Sequence, residues 1–305
     1  MAESLINTKR RINTIKSTEK ITKAMKLVAS VKFQRWRKYY QENLPYYQGM
    51  KNTAAKAIAG AGLSVAMKTE CFQKKNGVRD LYVVITSTLG LCGAYNYQIF
   101  KELAEHFHPE DEMMFIGEKG MYRYQGIIEK SDTSFVSLMD EFSYSKVRRL
   151  RHEILQKYRT GEYKNVYLVY THYKNSLTFI PTVEKICPLS YEDFSSEEES
   201  KELEPVSDVS YQTLLEGLIP HYLDSLLYNR LIESEVSEVS ARRNAMESAT
   251  DSADKIVKKL MITYNKTRQN AITQEITEVV AGATAGKKKE DEWEVTLWKT
   301  KGKVS

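Results

Sequence analysis

A glycine turn, two histidines and a cysteine are the residues of this chain whose types and spacing could do chemistry. The turn lies in residues 87–96, STLGLCGAYN, directly after an apolar run typical of a buried strand. A glycine turn between a strand and a helix can hold a phosphate at the helix N-terminus. Gly90 and Gly93 do not have the GxGxxG spacing, however, and the chain has no GxxxxGKS or GxxxxGKT sequence. We therefore expect a structural turn rather than a phosphate-binding loop.

The histidines and Cys92 are the other candidates for a reactive or metal-binding site. His106 and His108 lie beside Glu110 and Asp111, a set that could form a crude metal site, although a solvated helix end is the expected alternative. Cys92 follows the glycine turn, where a helix N-terminus could favour a thiolate, but with no histidine near it in sequence we expect a buried, inert thiol. GxSxG, HExxH and paired-carboxylate motifs are absent. The sequence thus predicts no catalytic residue, no cofactor and no metal, and favours a mechanical or scaffolding role.

The C-terminal part of the chain predicts one long helix. Residues 221–281 contain neither glycine nor proline, and apolar or small residues recur at helical spacing. Such a helix would be about 90 Å long, whereas a compact globule of this chain length is about 50 Å across. The helix is therefore expected to protrude and to need a partner. The positions that define its stripe are Val236, Val239, Met246, Ala249, Ala253, Ile256, Leu260, Tyr264, Ala271 and Val279.

The N-terminal residues predict that partner. Residues 1–44 also lack glycine and proline. Both residue types appear from Pro45 onward, and Gly49, Gly60 and Gly62 indicate a break. Small residues four apart on the C-terminal helix would let two helices approach closely, with Met25 and Val28 filling the seam. We expect an intramolecular antiparallel coiled coil, and a coiled coil between two copies of the chain is the alternative. The N-terminal stripe is Ile12, Ile15, Ile21, Met25, Val28 and Val31, and the small residues are Ala241, Ala245, Ala249 and Ala253.

The middle of the chain alternates strand and helix patterns. Residues 80–86, 113–116, 166–170 and 177–186 predict strands, and residues 97–107 and 145–158 predict helices. This alternation predicts an α/β, Rossmann-like domain with a mostly parallel, doubly wound sheet. The predicted divisions are the N-terminal coiled-coil helix 1–58, the α/β base domain 78–194, the acidic linker 195–208, the C-terminal coiled-coil helix 209–285 and the extension 286–305.

Charge and composition limit the partners and the compartment. Net charge is +5, but residues 1–40 hold eleven Lys or Arg against two Glu, so this helix favours an acidic partner. Nucleic acid, an acidic protein loop and a merely solvated face all remain open. No apolar run approaches the roughly 20 residues of a membrane span. Three lone cysteines without CxxC spacing and a start without a secretory signal favour a reducing bacterial cytoplasm.

Three segments together resemble one known family, the γ subunits of F-type ATP synthases. Residues 12–32, INTIKSTEKITKAMKLVASVK, resemble the family's N-terminal helix with its ITKAM sequence. Residues 246–283 are similar to the family's C-terminal signature, with ATDxA, YNKxRQxxIT and EITEVVAGA. The central TSTLGLCGAYN is similar to its GLCGG loop. The resemblance covers about residues 5–285.

The resemblance implies a central-stalk rotor without an active site of its own. In the family the terminal helices turn inside a ring of alternating α and β subunits and force the β sites through different conformations. The implied partners are the α and β subunits, the ε subunit and the proton-driven c-ring, with neither nucleic acid nor direct membrane insertion. The implied place is the cytoplasmic face of a bacterial membrane, as a peripheral subunit.

Matching positions imply contacts with the α/β ring. Met25 matches the methionine of ITKAM, and the alternative is that it only packs in the seam between the helices. Arg242 matches an arginine ahead of the ATD motif, and the alternative is that it is only a solvated charge. The other implied contacts are Arg268, Gln269, Thr273 and Gln274.

The chain also departs from the family pattern. Thr88 and Leu89 replace an acidic and a basic residue, and Ala94 replaces a glycine, so a polar role of the loop side chains is not expected. The family ends near residue 285, whereas this chain continues with residues 286–305, in which Trp293, Val295 and Leu297 alternate with polar residues as in a short strand. The extension suggests a contact beyond the ring or a specialised, paralogous F1-like ATPase. A nucleic-acid or scaffold adaptor and a small Rossmann-type enzyme are the remaining hypotheses.

Overall fold

The computed structural model describes residues 5–194 and 210–301, with the side chains of the last helix described as far as residue 284. Its chain divides into two units, Met1–Lys23 with Ser248–Ser305, and Ala24–Glu247. Two long helices, α1 (Leu5–Ala61) and α6 (Tyr211–Lys301), contribute residues to both units. The intervening elements belong to the second unit.

Both long helices continue through a proline. Helix α1 continues through Pro45 and Gly49 and ends at Ala61, three residues beyond the predicted end at residue 58 and directly before Gly62. Pro220 likewise lies inside α6, which begins at Tyr211, two residues after the predicted start at residue 209. A proline inside a helix removes one hydrogen bond and costs about 3 kcal/mol. Burial of Ala54 and Ile58 on the far side of Pro45 offsets that cost.

The second unit contains a five-stranded sheet in the order β3-β2-β1-β4-β5. Its strands are β1 (Arg79–Ile85), β2 (Glu112–Ile116), β3 (Lys130–Asp132), β4 (Tyr163–Tyr173) and β5 (Phe179–Cys187). The first four are parallel, and β5 pairs with β4 antiparallel. The predicted α/β class with a mostly parallel sheet is confirmed.

Helices cover both faces of this sheet. They are α2 (Leu63–Ala66), α3 (Tyr95–Ala104), α4 (Glu118–Tyr124) and α5 (Tyr144–Arg159), with short 3-10 helices at Glu70–Phe72 and Tyr191–Phe194. Leu81 and Val83 of β1 pack with α5 and α6 on one face, while Tyr82 and Val84 pack with α3 on the other. Sequence patterns predict α3 and α5 but miss α4 and β3, which are too short to show a period.

Helix α6 is buried to an unusual degree between residues 222 and 241. All but three of these side chains are buried, and the buried ones include Asp224, Asn229, Glu233 and Glu238. Most of the charged and hydroxyl groups have hydrogen-bond or ion-pair partners, such as Arg151 for Asp224 at 2.9 Å. A helix that is enclosed on all sides needs such partners, because an unpaired buried charge is costly.

The end of α6 differs from expectation. The strand predicted around Trp293 is wrong, because α6 continues as helix to Lys301. Residues 287–300 contain neither glycine nor proline and are rich in Lys and Glu, so the helix has no reason to stop there. The predicted acidic linker 195–208 lies outside the described residues. Within the described chain, no helix has the length and apolar character needed to cross a bilayer.

Candidate partner-binding surface

The glycine turn after β1 is a structural loop whose polar side chains form hydrogen bonds with one another. The Ser87 amide donates to Asn96 Oδ1 at 3.1 Å, and Asn96 Nδ2 donates to Ser87 Oγ at 2.7 Å and to the Cys92 sulfur at 3.3 Å. Leu91 has a φ of 65°, a left-handed conformation uncommon for a residue with a side chain. Cys92 is buried, and this burial raises the pKa of its thiol. The side chains of Ser87, Cys92 and Asn96 therefore bond within the turn itself.

Helix α6 fills the place where doubly wound sheets usually bind ligands. That place is the crevice at the carboxyl ends of the strands where the strand order reverses, here between β1 and β4. Ser234 accepts a hydrogen bond from the Thr171 amide at 3.3 Å, and Ser237 Oγ donates to Thr171 O at 3.4 Å. Arg242 Nη2 donates to the carbonyls of Leu89 and Gly90 at 3.0 and 3.3 Å. The chain's own helix thus occupies the crevice.

The histidine cluster is also engaged within the fold. Asp111 Oδ2 accepts from the His108 amide at 2.7 Å, and Asp111 Oδ1 accepts from the Asp80 amide at 2.9 Å. His106 Nδ1 lies 3.0 Å from Glu102 O in the last turn of α3. Among the described residues, no group of three or more His, Cys, Asp or Glu is placed to hold a metal ion. Asp111 is a loop-capping carboxylate in this arrangement.

A cavity of about 870 Å³ lies in the second unit beside the glycine turn. Glu235 and Glu238 of α6 line it, and their neighbourhood raises both pKa values. Burial is the larger cause for Glu235, followed by the charge of Glu238, and together they raise its pKa to about 8. Glu238 is paired with Arg242. The aromatic lining residues are Trp36, Tyr39, Phe142 and Tyr228.

In the second unit, α1 and α6 pack antiparallel to each other. Contacts that move forward along α1 move backward along α6: Lys26 Nζ lies 2.7 Å from Glu247 Oε1, and Tyr40 Oη lies 3.4 Å from Glu233 Oε1. Between them, Ala29 and Phe33 share a core cluster with Ile232, Val236 and Val239 of α6. The predicted intramolecular pairing is confirmed.

The same two helices pair in the first unit through small and polar residues. Thr250 Oγ1 donates to Thr22 Oγ1 at 2.8 Å. Thr8 and Ile12 of α1 are buried there, as are Ala253 and Val257 of α6. Small seam residues let the two backbones approach closely.

Several predicted seam residues lie outside the seam. Ile21 is 60% exposed and Val28 is 59% exposed, and Val31, Ile256 and Val279 are exposed as well. Thr22 and Ala29, one residue further along, are buried instead. At Ile21 and Val28 the prediction fails because it assigns the larger apolar residue to the seam, whereas the smaller neighbour is the buried one. The larger residues therefore form an outward apolar surface on each unit, and such a surface indicates a binding partner.

The basic residues of α1 are accessible. Ten of the eleven Lys and Arg side chains in residues 1–40 are exposed, and Lys26 is half-buried in its ion pair with Glu247. An acidic partner surface could approach most of this helix face.

The predicted contact residues differ in their surroundings. Gln269 and Thr273 are exposed on α6, and Thr273 Oγ1 donates to Gln269 O at 2.9 Å. Arg268 and Gln274 are exposed too, with Gln274 Nε2 donating to Glu278 at 2.9 Å. Met25 is half-buried, as expected for a residue at the edge of a seam.

Arg242 is not the solvated charge that the alternative interpretation expects. Its side chain is mostly buried, pairs with Glu238 and holds the turn carbonyls. Sequence analysis misses this internal role, although the four-residue spacing of Glu238 and Arg242 on a helix is a signal of their pairing.

Comparison with known proteins identifies the family. The sequence model described as "ATP synthase" matches residues 4–285. The ATP synthase gamma chain of Mycoplasma mobile is 38% identical over 90% of this chain and 96% of its own length. The chain belongs to the ATP synthase gamma chain family. A gamma chain named as sodium ion specific, from Acetobacterium woodii, is 31% identical over 93% of this chain and 99% of its own.

A solved structure supports the fold of this gamma chain. A chain from the rotor of the Euglena gracilis mitochondrial ATP synthase matches with a TM-score of 0.59, covering 88% of this chain and 98% of the other. Their sequences are 20% identical, so the likeness concerns the fold. The family model ends at residue 285, and the 16 residues of α6 that follow lie beyond the match.

Proposed function

We propose that this gamma chain is the central-stalk rotor subunit of an F-type ATP synthase or ATPase and carries no active site of its own. The observation that carries the proposal is the set of large apolar side chains that the helix pair leaves exposed, among them Ile21, Val28 and Ile276. Large apolar side chains that lie exposed along one helix pair indicate a surface that binds a partner. Outward apolar side chains on a close-packed helix pair suit a surface that turns against a surrounding ring.

The ring in this proposal consists of α and β subunits. The exposed lysines and arginines of α1 suit acidic loops on such subunits. Met25, Arg268, Gln269, Thr273 and Gln274 are the proposed ring contacts, and the exposure of the last four supports them. Arg242, mostly enclosed by Glu238 and the glycine turn, is proposed to act on the ring through the loop that it holds.

The remaining proposed partners are an ε subunit and a c-ring. The subunit would then be peripheral, on the cytoplasmic face of a bacterial membrane, and would couple proton flow to ATP synthesis or hydrolysis. A sodium-specific relative makes the coupling ion a separate question. Measuring ATP synthesis in vesicles with a proton gradient alone, and then with a sodium gradient alone, decides it.

Reconstitution with the α and β subunits of the same genome tests the rotor assignment. We expect a stable complex in which ATP hydrolysis depends on the gamma chain, and a bead attached to the gamma chain should rotate during hydrolysis. Failure to co-purify with α and β, together with salt-sensitive binding to DNA, would instead support a nucleic-acid adaptor.

A double variant, Gln269→Ala with Thr273→Ala, tests the proposed ring contacts. Losing hydrogen bonds to the ring should lower hydrolysis about tenfold, equivalent to about 1.4 kcal/mol. Thr263→Ala is a matched control, because Thr263 is also exposed and its hydroxyl likewise donates four residues back, to Lys259 O at 3.2 Å. Equal activity of the double variant and the control would remove these residues from the interface.

A specialised, paralogous motor is a second candidate, favoured by the helical continuation of α6 beyond residue 285. Deleting residues 287–305 distinguishes a housekeeping rotor from a specialised motor. A housekeeping rotor should keep assembly and turnover, whereas a specialised motor should lose a further bound component from its purified complex.

A further inference from the structure

One carboxylate in the enclosed stretch of α6, residues 222–241, has no partner. The other three carboxylates of this stretch are each paired with a cation: Asp224 with Arg151, Glu233 with Arg230, and Glu238 with Arg242. Within the part of the chain that the structure describes, the Glu235 carboxylate forms neither an ion pair nor a hydrogen bond. The fold therefore leaves the charge of Glu235 uncompensated, although it compensates the others.

Glu235 lies on the side of α6 that faces the cavity beside the glycine turn. Three side chains of the enclosed stretch are half-buried rather than buried, and two of them, Tyr228 and Glu235, line this cavity. They are seven residues apart, which places them on the same side of the helix, two turns from each other. The third, Arg230, is held by Glu184 and Glu233. The unpaired carboxylate thus borders an open space rather than the core.

The wall of this cavity is aromatic. The centroid of the Trp36 ring lies 5.6 Å from that of Tyr39 and 5.5 Å from that of Phe142, with the rings edge to face in both pairs. The Phe142 ring in turn lies 4.8 Å from the Tyr228 ring. Aromatic faces attract cations, and tryptophan does so most strongly. Such a wall beside a carboxylate suits a ligand with a positive head and an apolar body.

The charge and the size of the cavity favour an organic ion with one positive charge. Four carboxylates and three cationic groups line the cavity, so one further cation balances them. Two of the cationic groups, Lys32 and Arg35, are exposed on α1, while Arg242 is mostly buried beside Glu238. The volume of about 870 Å³ is far larger than one inorganic ion requires and lies within the range of organic ligand pockets, roughly 300–1,000 Å³.

We propose that this cavity binds a primary alkylammonium ion, with the ammonium group paired to Glu235 and the alkyl body packed against the aromatic wall. A free amine and a lysine side chain of a partner subunit both carry this group. Binding of a free amine is independent of the rotor assignment, whereas binding of a partner's lysine rests on it. All lining residues belong to the second unit.

The protonation of Glu235 should make this binding depend on pH. Burial, followed by the charge of Glu238, raises the pKa of Glu235 to about 8, so the carboxyl must release a proton to pair with an ammonium ion below that pH. Aliphatic ammonium groups stay charged up to about pH 10. The affinity should therefore fall as pH decreases below 8, by up to about tenfold per unit. The charged and titratable groups that share the cavity with Glu235 are Lys32, Arg35, Tyr39, Asp140, Glu141, Tyr228, Glu238 and Arg242.

Calorimetric titration of the purified full chain with butylamine tests the site, because butylamine reproduces a lysine side chain. We expect one butylamine to bind per chain at pH 8.5, and the affinity to be about tenfold or more lower at pH 6.5. 1-Butanol, which has the same body without the charge, should not bind. Glu235→Gln should weaken butylamine binding about tenfold or more. Glu275→Gln, at an exposed position outside the cavity, is the matched control and should bind as the wild type does.

Several results would overturn the proposal. They are no binding of butylamine, equal binding of butylamine and 1-butanol, an affinity that does not change with pH, and equal affinities of the wild type and Glu235→Gln. If Glu235→Gln does not fold, the amine, the alcohol and the pH series on the wild type still decide the question.

Repeating the titration on the gamma chain assembled with α and β subunits distinguishes the two sources of the ammonium group. Binding that persists in the complex identifies a free amine as the ligand. Binding that is present in the isolated chain and lost in the complex identifies a side chain of the partner. Failure to assemble would count against the rotor assignment alone, because the titration of the isolated chain does not depend on it.

Discussion

Two stretches of α6 differ sharply in their surroundings although one continuous helix carries both. Between residues 222 and 241, nearly every side chain is buried, including four charged or amide groups. Between residues 272 and 284, every side chain is exposed, including Ile272, Ile276, Val279 and Val280. The first stretch buries polar groups, and the second exposes apolar ones.

The difference separates structural from functional residues. In the first stretch, Glu233 is bonded to β4 and to α1, and Asp224 is bonded to α5, so these buried charges hold the fold together. Exposed apolar groups in the second stretch do not stabilise the folded chain, because they remain in contact with water. Substitutions should therefore change stability in the first stretch and binding in the second.

Glu233→Ala should give the largest loss of stability. Its carboxylate is fully buried and lies 2.6 Å from His172 Nδ1, 3.1 Å from Arg230 Nη1 and 3.1 Å from the Tyr173 amide. Removing one partner of a buried charge network costs about 3–5 kcal/mol. Urea denaturation of the full chain measures it, and Glu275→Ala, at an exposed position of the other stretch, should stay within about 0.5 kcal/mol. Similar losses in both variants would contradict the comparison.

Arg242→Lys should have an intermediate effect. Lysine keeps the charge opposite Glu238 but cannot reproduce the fork that also reaches the Leu89 and Gly90 carbonyls. We expect a loss of about 2 kcal/mol and faster hydrogen exchange in residues 87–96. Arg268→Lys, at an exposed site, is the control and should change neither quantity. Unchanged exchange in the loop of Arg242→Lys would mean that the arginine does not hold it.

Glu235→Gln should alter the pH dependence of stability. The pKa of Glu235 is raised to about 8 in the folded chain, so the folded state holds a proton that the unfolded state releases near pH 4.5. The stabilisation is complete below pH 4.5 and is lost as pH rises towards 8, by at most about 1.4 kcal/mol per pH unit. Glutamine stays neutral and should flatten this slope.

The control for this slope is Glu247→Gln. The Lys26 ammonium lowers the pKa of Glu247. Its carboxylate is therefore ionised across this pH range in both the folded and the unfolded chain, and Glu247→Gln should keep the wild-type slope of stability against pH. The slopes are obtained from free energies of unfolding of the wild type and both variants, measured at several pH values between 5 and 8. A wild-type slope that persists in Glu235→Gln would assign the proton to another group.

The sequence predicts the elements better than it predicts their inward faces. Long stretches without glycine predict both terminal helices, and alternating patterns predict the parallel sheet. Hydrophobicity alone cannot choose between Ile21 and Thr22, or between Val28 and Ala29, because the seam is selected by how closely the backbones approach. The contact between Glu233 and His172 is equally invisible, since these two residues meet only when α6 packs against β4, whereas Arg230 lies three residues before Glu233 on the same helix.

Ile276→Ser should change stability least and so sharpens the comparison most. Ile276 is 59% exposed, and its replacement should alter the free energy of unfolding by no more than about 0.5 kcal/mol. Ile232→Ser, in the same helix but 1% exposed, should cost several kcal/mol because it removes core packing and buries a hydroxyl. If residues 272–284 are a binding surface, Ile276→Ser should weaken association with the α and β subunits about three- to tenfold, as titration of the reconstituted complex would measure. A stable, fully binding Ile276→Ser protein would leave this isoleucine without a role, and a destabilised one would show that the stretch is covered within the chain itself.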